Sequence, residues 1–161
     1  MNRILVVLIL VLNVLGVCAQ DENPYLKQTR YTFPLTTLSL QAPLHFDTTY
    51  MYSGLLHKAT SSSLVSSKAL DRNPIAFNLG LTNEYFNTQG LTLIRTEIIK
   101  TQNWEGILYY LTFEIKTIKM QRMMLVTGTY NDTYIVMANF PDMFSSQLIV
   151  PIRESLTTIL F

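Results

Sequence analysis

Cysteine is almost missing: Cys18 is the only one among 161 residues. No disulfide within the chain is available, so packing alone has to hold the fold together. Histidine is nearly as scarce, with only His45 and His57. A zinc site takes three or four N, S or O ligands with a fixed second shell. His45-Phe46-Asp47 can present two ligands on one strand face and His57 can join them, but no spacing marks a further ligand. No metal and no cofactor are therefore expected. The six glycines form neither G-x-G-x-x-G nor a phosphate loop, and G-x-S-x-G is absent. Ser61, Ser62 and Ser63 thus lack a nucleophile elbow, and a hydrolase would need His57 to reach one of them with an acid to orient it. Glu97, Glu105 and Glu114 fall along neighbouring strand-like runs, where exposed acids are routine. No catalytic residue is assigned.

Charge is thin as well, at 14% Asp, Glu, Lys and Arg. Setting aside Arg3 leaves 11 basic against 11 acidic residues, a formal net of zero. No basic run exceeds two nearby residues, so the counterion release that drives nucleic-acid binding has no source. An electrostatic membrane surface is disfavoured for the same reason.

What the chain does have begins with a leader. Arg3 precedes an uncharged run rich in Leu, Val and Ile, and Val17-Cys18-Ala19 puts small residues at −3 and −1 of a signal-peptidase cut before Gln20. Residues 1–19 read as a signal peptide and the protein as exported, periplasmic or extracellular. Two alternatives stay open: a retained N-terminal anchor, and a lipoprotein cut before a lipidated Cys18, with Val17 a poor fit to that signal. Contact with a membrane is expected only in those two cases. Removing 19 of 161 residues leaves 142, enough for one domain with a real core.

Residues 20–32 are polar, contain Pro24 and show no period, which predicts a flexible arm, with the domain over 33–161. SLQAP (39–43) reads as a short edge strand. Residues 50–59 and 61–67 read as a strand pair around 58–60, the serine-rich one at a sheet edge. Asn73-Pro74 signals a helix start, and Gly90 suits its left-handed end. Gly80 weakens the middle, so two short helices are an alternative, with Thr82 capping the second. Four strands follow, at 91–100, 104–116, 122–130 and 133–140, with a connection at 117–120. The last two are apolar on both parities, which requires cover on both sheet faces. The closing helix carries Leu148, Ile152, Leu156 and Ile159 on one stripe, capped by Ser145 or Ser146, and is either kinked at Pro151 or begins there. Tyr130-Asn131-Asp132-Thr133 reads as a hairpin turn whose Asn-Asp tolerates positive φ. Asn131-Asp132-Thr133 is also a glycosylation sequon, relevant only in a eukaryotic secretory host.

YSGLLHKAT (52–60), NWEG (103–106), LVTGTYNDTYIVMANFP (125–141) and RESLTTI (153–159), taken in this order of elements, resemble the PsbP-like superfamily. That superfamily includes photosystem II PsbP, DcrB-type exported proteins and a nuclear-import factor that binds the GTPase Ran; similar segments occur in exported proteins of Bacteroidetes-type bacteria. The resemblance covers about residues 39–161. It implies an α+β single domain, an antiparallel β-sheet with helices packed on both faces (an α/β/α sandwich), and no catalytic residue. Its members are accessory or binding proteins with differing partners, so no role transfers with the fold.

The expected function is a non-enzymatic exported accessory or protein-binding module whose partner is another envelope or secreted protein. The alternative is a carrier of a small apolar ligand between sheet and helix, and the third is a hydrolase. Trp104, Tyr110, Met124, Tyr130 and Tyr134 are the candidates for a ligand or partner surface; the competing reading of such aromatic and methionine side chains is packed core. An interaction module predicts an exposed apolar patch.

Overall fold

The computed structural model of the protein describes residues 23–161. The expected leader at 1–19, the cut before Gln20 and Cys18 lie outside them. Among the described residues no helix is long and apolar enough to cross a membrane.

Among the described residues nine strands and three α-helices follow one another. Strands β1 (Leu26–Thr32) and β2 (Ser39–Pro43) pair with each other outside the main sheet. Next come β3 (Asp47–Thr48), β4 (Gly54–His57) and β5 (Ser62–Ala69), then helices α1 (Pro74–Leu79) and α2 (Asn83–Thr88). The chain continues through β6 (Thr92–Lys100), β7 (Glu105–Ile115), β8 (Ile118–Gly128) and β9 (Thr133–Pro141) to α3 (Ser145–Thr157). The main sheet is antiparallel throughout, in the order β3-β4-β5-β9-β8-β7-β6. The α1–α2 pair carries the chain from β5 across to the far edge at β6.

The two-parity strands set the layers. Leu108, Tyr110, Met123, Leu125, Val136 and Phe140 point to the side where Leu148, Ile152 and Leu156 of α3, with Ile159 just beyond its end, close a core with β2. Tyr109, Leu111, Met124 and Val126 point to the other side, against Phe86 of α2 and the half-buried Phe77 of α1. Each Leu or Phe so enclosed contributes roughly 1.5–3 kcal/mol. The second core is smaller, because two six-residue helices cannot span seven strands.

Local chemistry explains the breaks. Asn73 Oδ1 accepts the Ile75 N–H at 2.8 Å and Pro74 opens α1. Thr82 Oγ1 accepts the Tyr85 N–H at 3.2 Å and starts α2. The segment is thus two helices separated at Gly80, and Gly90 has φ +69°. Gly54 and Gly106 sit where a Cβ would come within 3 Å of the neighbouring strand, the close approach that excludes a side chain.

Several expectations need correction. Residues 26–32 are not a loose arm: Leu26 is buried, Tyr31 packs on Phe33, and the backbone pairs with β2. Its polar side chains misled because β1 exposes most of its length. SLQAP is the short strand expected, and it pairs with β1 outside the main sheet. The serine-rich β5 is interior, paired with β4 on one side and β9 on the other; small Ser62 tucks in fully buried beside Leu64. The β7–β8 connection is only Lys116-Thr117, with Lys116 at φ +55°. At the β8–β9 turn, Thr129 donates its N–H to the Asp132 carbonyl, and neither Asn131 nor Asp132 takes positive φ. Ser145 is the first residue of α3 rather than its cap; a 3₁₀ turn over Asp142–Phe144 leads in, and Pro151 lies inside the helix.

Candidate functional site

The five surface candidates do not meet. Trp104 is buried on the α3 side and donates its Nε1–H to the Ile159 carbonyl at 2.9 Å, tying the strand to the end of the chain. Tyr110 is buried on the same side, its hydroxyl donating to Glu97 Oε2 at 2.9 Å while the Arg95 guanidinium lies 3.5 Å over its ring. Tyr134, also buried there, stacks on Phe161 at 5.0 Å with Lys68 over its ring. Met124 belongs to the opposite core. These four are core, so they offer no surface on the chain alone; Tyr130, in the β8–β9 turn, is exposed.

Tyr110 leads to the densest polar cluster. Glu97 also accepts two bonds from Arg153 of α3 and one from Arg95. The Arg153 bonds hold the Glu97 carboxylate below its ordinary range, against a smaller opposing effect of burial. Burial first, then the neighbouring carboxylate, pushes the Tyr110 phenol up. Every member has a partner, so this cluster welds α3 to β6 and β7 rather than presenting a reactive group.

The histidines do come together at the β3–β4 edge, ring centroids 6.2 Å apart. His57 Nδ1 shares a 2.7 Å hydrogen bond with Thr60 Oγ1, which reaches Ser62 Oγ at 2.6 Å. That chain ends on a fully buried serine. Asp47 is held by Lys27 at 2.6 Å instead of orienting His57. Burial, then His45, lowers the His57 pKa; Asp47 opposes both. Among the described residues no three His, Cys, Asp or Glu side chains gather as a metal site. His57 therefore presents neither the serine nor the acid that hydrolysis would require.

The helix start at Asn73-Pro74 was legible in the sequence; the outward apolar face of α1 was not. This helix buries no residue, and Ile75 and Leu79, a turn apart on one face, are 74% and 78% exposed. Asn73 Nδ2 donates to the Tyr130 carbonyl at 3.1 Å, and Thr133 Oγ1 to the Arg72 carbonyl at 2.7 Å. These bonds bring exposed Leu70 and exposed Tyr130 to the same end of the sheet. Phe77 and Asn78 face the sheet instead of Ile75 and Leu79, Asn78 Oδ1 accepting the Tyr109 hydroxyl at 2.9 Å.

No protein-family model matches this sequence, and no curated protein matches it. Solved structures do. Cyanobacterial PsbP from Synechocystis superposes with a TM-score of 0.58 at 10% identity, over 91% of this chain and 98% of that one. LpqN of Mycobacterium tuberculosis, described as involved in cell envelope biogenesis, gives 0.55 at 10% identity, over 86% and 92%. A Bacteroides thetaiotaomicron protein gives 0.54 at 12% identity over 81% of this chain, which spans about half (47%) of that longer one. The chain has a PsbP-like α+β fold. At these identities the likeness concerns the fold and not the role.

Proposed function

We propose that this protein is a non-enzymatic accessory module, exported from its cell, that binds another envelope or secreted protein through the apolar surface of α1 and the β8–β9 turn. One observation carries the reading: α1 leaves Ile75 and Leu79 in water beside exposed Leu70 and Tyr130. A surface helix in a finished globular domain turns its apolar residues inward. A run of large apolar side chains held outward on a capped helix marks a contact surface. Export rests on the leader sequence, and the described cell-envelope role of LpqN, a protein of the same fold, agrees with it.

The test is site-specific photo-cross-linking in the host. A cross-linking amino acid placed at Ile75 or Leu79 is expected to yield one discrete heavier species in the envelope or secreted fraction. The same label at Lys100, on the far edge strand, is expected to yield none. Interface anchors of this kind carry about 1–2 kcal/mol each, so the double substitution Ile75→Glu, Leu79→Glu should weaken capture at least tenfold. Equal labelling from Lys100, or no adduct from either α1 position, overturns the proposal.

A further inference from the structure

The α1–α2 side of the sheet is covered only in part. α1 packs on β8 and β9, and α2 on β6. Away from them a row of three polar side chains crosses adjacent strands: Ser63 of β5 opposite Asn139 of β9, itself opposite Arg122 of β8. Arg122 donates its Nε–H to Asn139 Oδ1 at 2.7 Å, and Asn139 Nδ2 reaches Ser63 Oγ at 3.5 Å. The guanidinium lies 5.1 Å from the centre of the Phe113 ring. One edge and one flank of the cation are thus fixed by the protein.

Its other edge is unused. Neither Nη1 nor Nη2 has a hydrogen-bond partner among the described residues, and no carboxylate lies within ion-pair distance. Arg95 and Arg153, by contrast, both have Glu97. No buried side-chain nitrogen is left unpaired among the described residues, so both nitrogens reach solvent. Yet Arg122 is half-buried, and burial alone lowers its pKa. A cation kept in partly desolvated surroundings, with a planar fork directed outward, is an incomplete ion pair. Its neighbours on this face are apolar and themselves half-buried: Met120, Phe113, Met137 and Val65.

We propose that Arg122, oriented by Asn139 and Ser63, binds the carboxylate of a small aliphatic acid, whose chain lies along the half-covered Met and Phe side chains of the sheet. The Nη1/Nη2 fork matches two carboxylate oxygens, and the apolar surroundings match a hydrocarbon body. This is independent of the α1 surface, which sits at the Tyr130 end, so either can fail without the other.

The test uses the protein as its host processes it, with decanoate as the probe and decanol as the uncharged control, followed by two-dimensional NMR. Decanoate is expected to bind saturably and to move the Arg122 side-chain Nε–H with the Asn139 and Ser63 signals. Decanol should bind about tenfold more weakly, the share expected of one bidentate charge-assisted pair. Arg122→Met should lose the same factor, and Arg122→Lys, which keeps the charge but not the fork, a smaller part of it. The decanoate/decanol comparison needs no variant, so a misfolded Arg122→Met leaves the test intact. Equal affinity for both probes overturns the proposal, as does no saturation by about 1 mM. Shifts confined to α1, or binding of a short acidic peptide here in place of decanoate, overturn it as well.

Discussion

Replacing Glu97 by Gln keeps the shape of the side chain and removes its charge. The native carboxylate accepts from Arg153 Nε at 2.9 Å and again from Arg153 Nη2, from Tyr110 at 2.9 Å, and from Arg95 at 3.4 Å. A glutamine amide has one acceptor oxygen, so it can serve the Arg153 fork or the Tyr110 hydroxyl but not both. Its NH₂ would then face donors. Breaking one side of a fully buried pair costs about 3–5 kcal/mol, and of an exposed pair about 0–1. Glu97 is 23% exposed and Arg153 38%, which places the loss between these limits after solvent screening, at about 2 kcal/mol. For a domain of this size that lowers the melting midpoint by about 5 °C.

The pH dependence separates charge from shape. The folded pKa of Glu97 lies below the ordinary 4.5, chiefly because of Arg153. A depressed carboxylate contributes stability above its unfolded pKa, and that contribution is lost as pH falls through the folded value. The wild type should therefore exceed Glu97→Gln in urea unfolding at pH 7, and the gap should close progressively below pH 4.5. A gap under about 0.5 kcal/mol at neutral pH, the ordinary scatter of surface substitutions, would refute the reasoning, as would a gap that does not change on acidification.

Two further substitutions probe the frame around this cluster. Trp104→Phe removes the donor to the Ile159 carbonyl and part of a buried ring, and should cost about 2–3 kcal/mol with faster exchange of the Leu160 amide, which bonds to Ser39; unchanged exchange would mean that Trp104 does not anchor the C-terminus. Gly106→Ala puts a Cβ 2.8 Å from the Val126 carbonyl and should cost about 1–3 kcal/mol by urea unfolding, whereas a neutral result would show that β7 and β8 can separate locally.

How much was legible depended on how local the cause was. The helix break and both its caps, the order of the last four strands and the stripe of α3 all follow from signals within a few residues: Asn73-Pro74, Thr82, Gly90, and the 3.6 and 2 periods. The place of β1 and β5 did not, because it is settled by distant partners. β1 is polar along most of its length, and only its register with β2 makes it a strand. β5 looks like an edge because it is rich in serine, yet β9, more than 60 residues on, closes its free side. The burial of four of the five surface candidates escaped the sequence for a related reason. Trp, Tyr and Met in the last strands are legible as large and apolar, but both faces of this sheet are apolar, so type alone cannot say which members stay open.

The two proposed contact sites lie on the same side of the sheet. On the α3 side, a 13-residue helix and the β1–β2 pair close over the sheet, Trp104 locks the chain end, and the charges around Glu97 are fully satisfied. Side chains there serve stability, and changing them should destabilise the protein. On the other side two helices of six residues each must cover a much larger sheet face. Helices that short can neither bury all their own apolar residues nor reach every strand. What they leave is Ile75 and Leu79 outward on α1 and the Arg122 fork uncovered beyond it. Both are features whose energy is unfavourable in the chain alone, one by exposing apolar area and the other by holding an unpaired cation in partly apolar surroundings. Binding is the process that would recover the loss.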